Sequence, residues 1–397
     1  MATSLVLHIG DPKTGTSSIQ EVLRHRLWES PSATLAYPEQ LNSFPLANAL
    51  SDPKQADQRA ARWGRFAEWL RAAEADVAVV SAEQFFRVDP NVLLNALTEF
   101  VPEYVPTLRV IAYVRPHANR LVSAFMQRSK AGLFQGDMAT FFHRTQGEQL
   151  LQYAPRFERW RAAFGDRFTL RPMIRGRLRN GDVVSDFLDF ALKGAPFEIR
   201  AATAANTSLP LEFLAGLSEV QNILKRNKIP LGTRHSVGDH IGRALMSAYP
   251  GAGTRLKISQ TQYQDLKAYC QGDAERLDRE FFGQPLMAQA LEEAGRDATG
   301  ATQDNRPQAH FPDPDIQVLH KRARRLVAMF RKRPTAWTIA FERDIGQRPP
   351  APDGKAPPPQ ILAHIDMVNA VLTDIAVLIG GGLPASKTTA KSQSNDA

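Results

Sequence analysis

A chain of 397 residues with 43% hydrophobic content is long enough for one large α/β domain and a smaller appendage. Its formal net charge of +8 favours anionic partners without choosing among them, and its single cysteine, Cys270, excludes an internal disulfide or a metal site built from cysteines. No basic segment precedes the short apolar run Leu5 to Ile9, and neither an aromatic RNA-binding strand nor a Cys/His finger is present. The expectation is a soluble, cytoplasmic protein without an integral membrane segment and without a nucleic-acid partner.

Leu5 to Ile9 reads as a strand stopped by Gly10-Asp11-Pro12, after which Ile19, Val22, Leu23 and Leu27 fall at helical spacing. Gln55 to Ala75 reads as an amphipathic helix leading into the apolar strand Val77 to Ser81. Asp89-Pro90 opens a helix to about Phe100, with Asp as N-cap and Pro in the first turn. Leu108 to Val114 is the next strand, and a helix follows Arg115-Pro116 to about Ala131. Helical patterns from Asp137 to Phe164, a strand from Arg167 to Ile174 and a helix from Asp182 to Leu192 complete the alternation. Strands alternating with helices predict a parallel sheet covered on both faces.

From Leu209 the patterns are mainly helical, over Leu209 to Lys228, Arg234 to Tyr249, Ser259 to Phe282 and Asp315 to Phe330. The expected division is an α/β core over 1–208, a helical extension over 209–346, a proline-rich linker over 347–360, and a C-terminal segment over 361–397. That last segment reads as one amphipathic helix, Ile361 to Ile379, and a disordered tail.

A strand that ends in Gly10-x-x-x-x-Gly15 and opens a helix at Thr16-Ser17 has the makings of a phosphate cradle. Glycines let the backbone approach, and amides at the helix N-terminus face the anion. The spacing is that of a Walker A loop, but Thr16 stands where a Walker lysine would reach the β- and γ-phosphates. The lysine of this loop is Lys13, two residues before Gly15, over the mouth of the loop.

In this respect the chain resembles the sulfotransferases that use 3′-phosphoadenosine 5′-phosphosulfate (PAPS), in particular bacterial and carbohydrate- or heparan-type members. Their 5′-phosphosulfate loop reads Pro-Lys-x-Gly-Thr-[Ser/Thr] after a strand, as in Pro12-Lys13-Thr14-Gly15-Thr16-Ser17. The resemblance spans roughly Leu5 to Leu192 and implies a P-loop-type three-layer α/β/α fold with a central parallel sheet. It implies that Lys13 stabilises charge on the bridging oxygen, and that Pro12, Thr14, Gly15, Thr16 and Ser17 form the donor site. A transferring sulfuryl group needs positioning and a neutralised leaving group, which a placed lysine supplies without a metal.

The donor's 3′-phosphate needs a second anion site. Arg115 ends a strand and Ser123 follows eight positions on in the next helix, as in the family's 3′-phosphate motif. A forked guanidinium and a hydroxyl are strong phosphate donors. Glu83 follows the strand Val77 to Ser81, at the same carboxyl edge, and is the first candidate for the base that deprotonates a hydroxyl or amine acceptor. The same residue equally suits a helix N-terminus, where the dipole favours a carboxylate.

His8 reads as a core residue of the first strand, and His117 either as a residue near the nucleotide or, as is commoner at a helix start, as a solvated histidine. Asn206-Thr207-Ser208 resembles a segment of carbohydrate sulfotransferases and equally suits a helix N-cap. The tryptophans read as core. Lys321 to Arg333 forms a basic helix, either a solvated face or an attractor for an acidic acceptor such as a glycan. Asp11 is an acid beside an anion loop, expected to point outward or to cap the helix. The implied function is transfer from PAPS to a hydroxyl or amine, in a small molecule, carbohydrate or glycoconjugate. A P-loop kinase or hydrolase, and a glycan-binding protein with a degenerate loop, are the alternatives.

Overall fold

The structure, a computed structural model, describes residues 2–200, 209–346, 348, 351 and 356–381. The Asn206-Thr207-Ser208 segment and half of the proline-rich stretch lie outside the described residues. The chain forms two compact units: Met1–Leu121 with Phe142–Ala205 and Gln260–Ala298, and Val122–Phe141 with Asn206–Ser259 and Thr299–Ala397.

The first unit holds β1 (Ser4–His8), α1 (Thr16–Arg24), β2 (Trp28–Glu29), β3 (Leu35–Ala36), α2 (Phe44–Ser51) and α3 (Arg59–Ala72). These are followed by β4 (Val77–Ser81), α4 (Pro90–Phe100), β5 (Arg109–Val114) and the start of α5 (His117–Lys130). After the end of α6 (Met138–Gly147) come α7 (Ala154–Phe164), β6 (Phe168–Pro172), α8 (Val183–Ala191) and β7 (Glu198–Ile199). β3, β4, β1, β5 and β6 form a five-stranded parallel sheet in that order, and β2 pairs antiparallel with β7. β1 lies at the centre, paired with β4 from Ser4↔Val77 to His8↔Ser81 and with β5 from Val6↔Arg109 to His8↔Ile111. Every residue of β1 and β4 is buried, as an interior strand covered on both faces requires.

The sequence reading places Gln260–Ala298 in the helical extension, whereas this stretch, with α11 (Gln260–Leu277) and α12 (Leu286–Arg296), belongs to the sheet unit. Asp89 and Asp182 act as helix N-caps, accepting from Asn91 N and Ser185 N. The two-residue strands β2, β3 and β7 were not expected, because a pattern of two residues carries no periodicity.

The second unit is helical: α9 (Leu211–Arg226), α10 (Leu231–Ala248), α13 (Asp313–Lys332), α14 (Ala336–Asp344) and α15 (Pro359–Gly381). The chain is thus an α/β protein with a helical C-terminal part. Among the described residues α15 is the one helix long and apolar enough to cross a membrane by length and composition. Val368, Val371, Leu372, Ile375 and Ile379 on its inner face belong to the core of this unit, with Trp337, Leu326 and Phe330. Leu362, Met367 and Val377 on its outer face are exposed.

Candidate functional site

β1 delivers the loop Ile9 to Gly15 to the carboxyl edge of the sheet, beside the end of β5. The chain leaves β1 toward β3 and β4, and leaves β5 toward β6, so β1 and β5 flank the point where strand order reverses. That crevice is where open α/β sheets bind ligands.

The loop has the left-handed turns it needs: Gly10 at φ 61°, Lys13 at φ 72° and Gly15 at φ 80°. A side chain at Gly10 would place its Cβ 3.0 Å from the Cα of Glu83 and 3.3 Å from Thr16 Oγ1. At Gly15 it would meet Val183 Cγ1 at 2.5 Å. Both glycines are therefore required by contact as well as by backbone conformation. Lys13 is a non-glycine residue in the left-handed region, a strained state that surrounding contacts must hold. Arg115 Nη1 donates to its carbonyl at 3.1 Å, and the next residue, Thr14, donates its hydroxyl to Asp11 O at 2.6 Å.

The N-terminus of α1 carries Gly15 as cap with no side-chain hydrogen bond and no acidic residue in the first turn. The cap residue thus brings no side chain of its own to the helix start, an arrangement that suits an anion. Thr16 is 4% exposed, and its hydroxyl, aimed at the inside of the loop near Gly10, has no hydrogen-bond partner. A buried orphan hydroxyl beside an open helix start fits an absent acceptor such as a phosphate oxygen. Ser17 is exposed on the first turn.

Glu83 begins the turn after β4, directly against Gly10. Burial pushes its carboxyl above the ordinary glutamate range, while the charges of Arg120 and Lys13 pull it back, Asp11 pushes it up and Arg87 pulls it down. A largely buried carboxyl with raised proton affinity, acted on by three cations, is equipped to exchange a proton.

Two expectations fail here. Asp11 neither points outward nor caps the helix: it is 1% exposed, with Arg156 Nη2 on Oδ1 at 2.7 Å and Arg120 Nε 3.4 Å from Oδ2. Arg156 is itself held by Phe86, Tyr153 and Phe157, whose ring centroids lie 5.6, 5.6 and 5.0 Å from its guanidinium carbon. His117 is not solvated: it is buried, with Nε2 2.9 Å from Asp273 Oδ2, and Asp273 Oδ1 accepts from Ala154 N at 2.8 Å. Sequence reasoning missed Arg120 and Arg156, and the signal that could have found them was Asp11, a buried acid that demands cations.

His8 is a core residue, as expected. It is fully buried, pairs through Nδ1 with Ser81 Oγ at 2.9 Å, and burial lowers its pKa to about 3. Of the tryptophans, Trp63, Trp160 and Trp337 are buried, while Trp28 and Trp69 are half-buried.

Pro12, Lys13, Thr14, Gly15, Thr16, Ser17, Glu83 and Arg115 thus converge on one edge of the sheet unit. Ser123 lies farther along α5, 8% exposed, in the stretch Val122–Phe141 of the other unit. Among the described residues no group of three or more His, Cys, Asp or Glu side chains is arranged to hold a metal ion.

Fold and site together define an α/β protein with a glycine-turned loop at the switch point of a parallel sheet. The chain matches no protein-family model, and no curated protein or solved structure matches it significantly.

Proposed function

We propose that this chain is a sulfotransferase that moves a sulfuryl group from PAPS to a hydroxyl or amine acceptor, a carbohydrate or glycoconjugate, on a P-loop-type three-layer frame. The observation that carries the reading is the hydrogen bond from Arg115 to the carbonyl of Lys13 across the β1–β5 crevice. It unites a loop shaped for one phosphate with a guanidinium suited to a second, and PAPS has two phosphate ends.

By this reading the open start of α1 and the hydroxyl of Thr16 hold the 5′-phosphate, with Pro12, Thr14, Gly15 and Ser17 shaping that cradle. Arg115 takes the 3′-phosphate. Lys13 neutralises the oxygen that leaves sulfur, the role for which its place ahead of Gly15 suits it better than a Walker lysine's. Glu83 takes the acceptor's proton as the acceptor atom bonds to sulfur and the electron pair of the breaking sulfur–oxygen bond stays on the phosphate.

The test uses the purified full chain. PAP should raise its unfolding temperature, and radiolabelled PAPS should label an oligosaccharide pool, with EDTA present as well as absent, because Lys13 supplies the neutralising charge. Lys13→Ala should lower transfer by about 10²–10³-fold with the unfolding temperature unchanged. No stabilisation by PAP and no label in oligosaccharide, lipid, phenol or peptide pools would overturn the reading.

A further inference from the structure

Asp11 sets a problem that the proposed function does not absorb. A carboxylate in the mouth of an anion loop opposes the binding of a phosphate, and its burial is costly unless other groups offset it. Here its backbone and side chain are both engaged. Thr14 Oγ1 donates to Asp11 O at 2.6 Å, which closes the loop turn. The carboxylate faces Arg156 from α7 and Arg120 from α5. The hydroxyl of Tyr153 is fully buried without a partner close to the same charges.

Arg120 has two carboxylates within its electrostatic reach, Asp11 and Glu83, and its Nε lies 3.4 Å from Asp11. Glu83 rests against Gly10, the residue before Asp11. The charges that act on Glu83 are those of Arg120 from α5, Lys13 and Asp11 from the loop, and Arg87 from its own turn. Arg156 is not among the leading charges on Glu83.

We propose that Asp11 is a positioning residue: braced by Arg156, its carboxylate holds the guanidinium of Arg120 and so keeps Arg120 from forming an ion pair with Glu83, which stays able to take the acceptor's proton. This rests on the sulfotransferase reading for the purpose of the arrangement, although the arrangement itself can be tested without it. A salt-bridged Glu83 would be a weak base, since an opposite charge at close range lowers proton affinity by about 1–3 pH units. The negative charge of Asp11 acts in the same direction as its grip on Arg120: both preserve the basicity of Glu83.

The experiment is a titration of Glu83 in the full chain by carbon NMR of side-chain-labelled glutamate, with its resonance assigned by its loss in Glu83→Gln. In Asp11→Asn the Glu83 titration should move to lower pH by about 1 unit or more, because a repelling charge is removed and Arg120 is released. In Arg156→Met it should move to higher pH, because Asp11 then draws Arg120 more fully; Met is chosen to sit among Phe86, Tyr153 and Phe157. If Asp11→Asn does not fold, Arg156→Met alone decides. No movement in the folded variants, or movement in the opposite sense, overturns the proposal.

Transfer assays judge the parent reading separately. Where transfer is observed, Asp11→Asn should lower kcat and shift the acid limb of its pH profile downward, with the affinity for PAP held or improved. A loss of PAP affinity with an unshifted acid limb would make Asp11 merely a brace for the loop and overturn the positioning role.

Discussion

The sheet unit and the helical unit bury different things. The interior of the first holds Asp11, Arg120, His117, Asp273 and Asp186, each buried and each matched to an opposite charge or a hydrogen-bond donor. In the second the described interior is Leu, Ile, Val, Phe and Trp, with Glu212 and His364 as its buried ionisable side chains, and the cations of α13 stand on the surface. Apolar packing is sufficient for stability, and a buried charge is costly unless paired, so each of these groups in the sheet unit depends on its partner.

Three measurements would break or sharpen this contrast. The largest effect is expected in the helical unit. Trp337 is 1% exposed, stacks on Phe341 with centroids 5.3 Å apart, and donates to Asn369 Oδ1 at 2.8 Å. Trp337→Ala should cost about 3–5 kcal/mol in chemical unfolding. An unchanged affinity for PAP in the folded fraction would confirm that this core serves stability.

A smaller effect concerns acid. Burial depresses His8 from its ordinary 6.5 to about 3, so below pH 6.5 the unfolded chain takes up a proton that the folded chain refuses. Stability should therefore fall as pH drops from about 6.5 toward 3, with no contribution from His8 above that window. His8→Asn should flatten this slope in urea titrations; an unaltered slope would assign acid sensitivity to other groups.

The smallest effect is expected at Arg324 and Arg325, exposed on α13 and without an ion-pair partner among the described residues. Alanine at either should change stability by less than about 0.5 kcal/mol. A larger loss would show that the helical unit, too, depends on its charges.

Much of the sheet unit was legible because its signals are local. The glycines announce the loop, the apolar runs announce β1, β4 and β5, and Asp89-Pro90 announces the start of α4. The Asp11 network was not legible, since Arg120 and Arg156 lie 109 and 145 positions along the chain and reach the loop only because α5 and α7 fold back on it. His117 was misread for the same reason: its partner Asp273 is 156 positions away. α15 shows the converse, with an apolar pattern that fits a membrane span or a core helix equally well until its neighbours are known.

The amino-acid sequence by itself determined that glycines shape the loop after β1, which longer segments run as strands and helices, and that the charge of the loop rests on Lys13. These follow from sterics and periodicity within a few residues. Only the tertiary structure decided that Arg115 closes on Lys13, that Glu83 stands against Gly10, and that Asp11 is buried between two arginines. Such contacts depend on which strands lie side by side, and strand order is set by the packing of the whole sheet, beyond the reach of any local pattern.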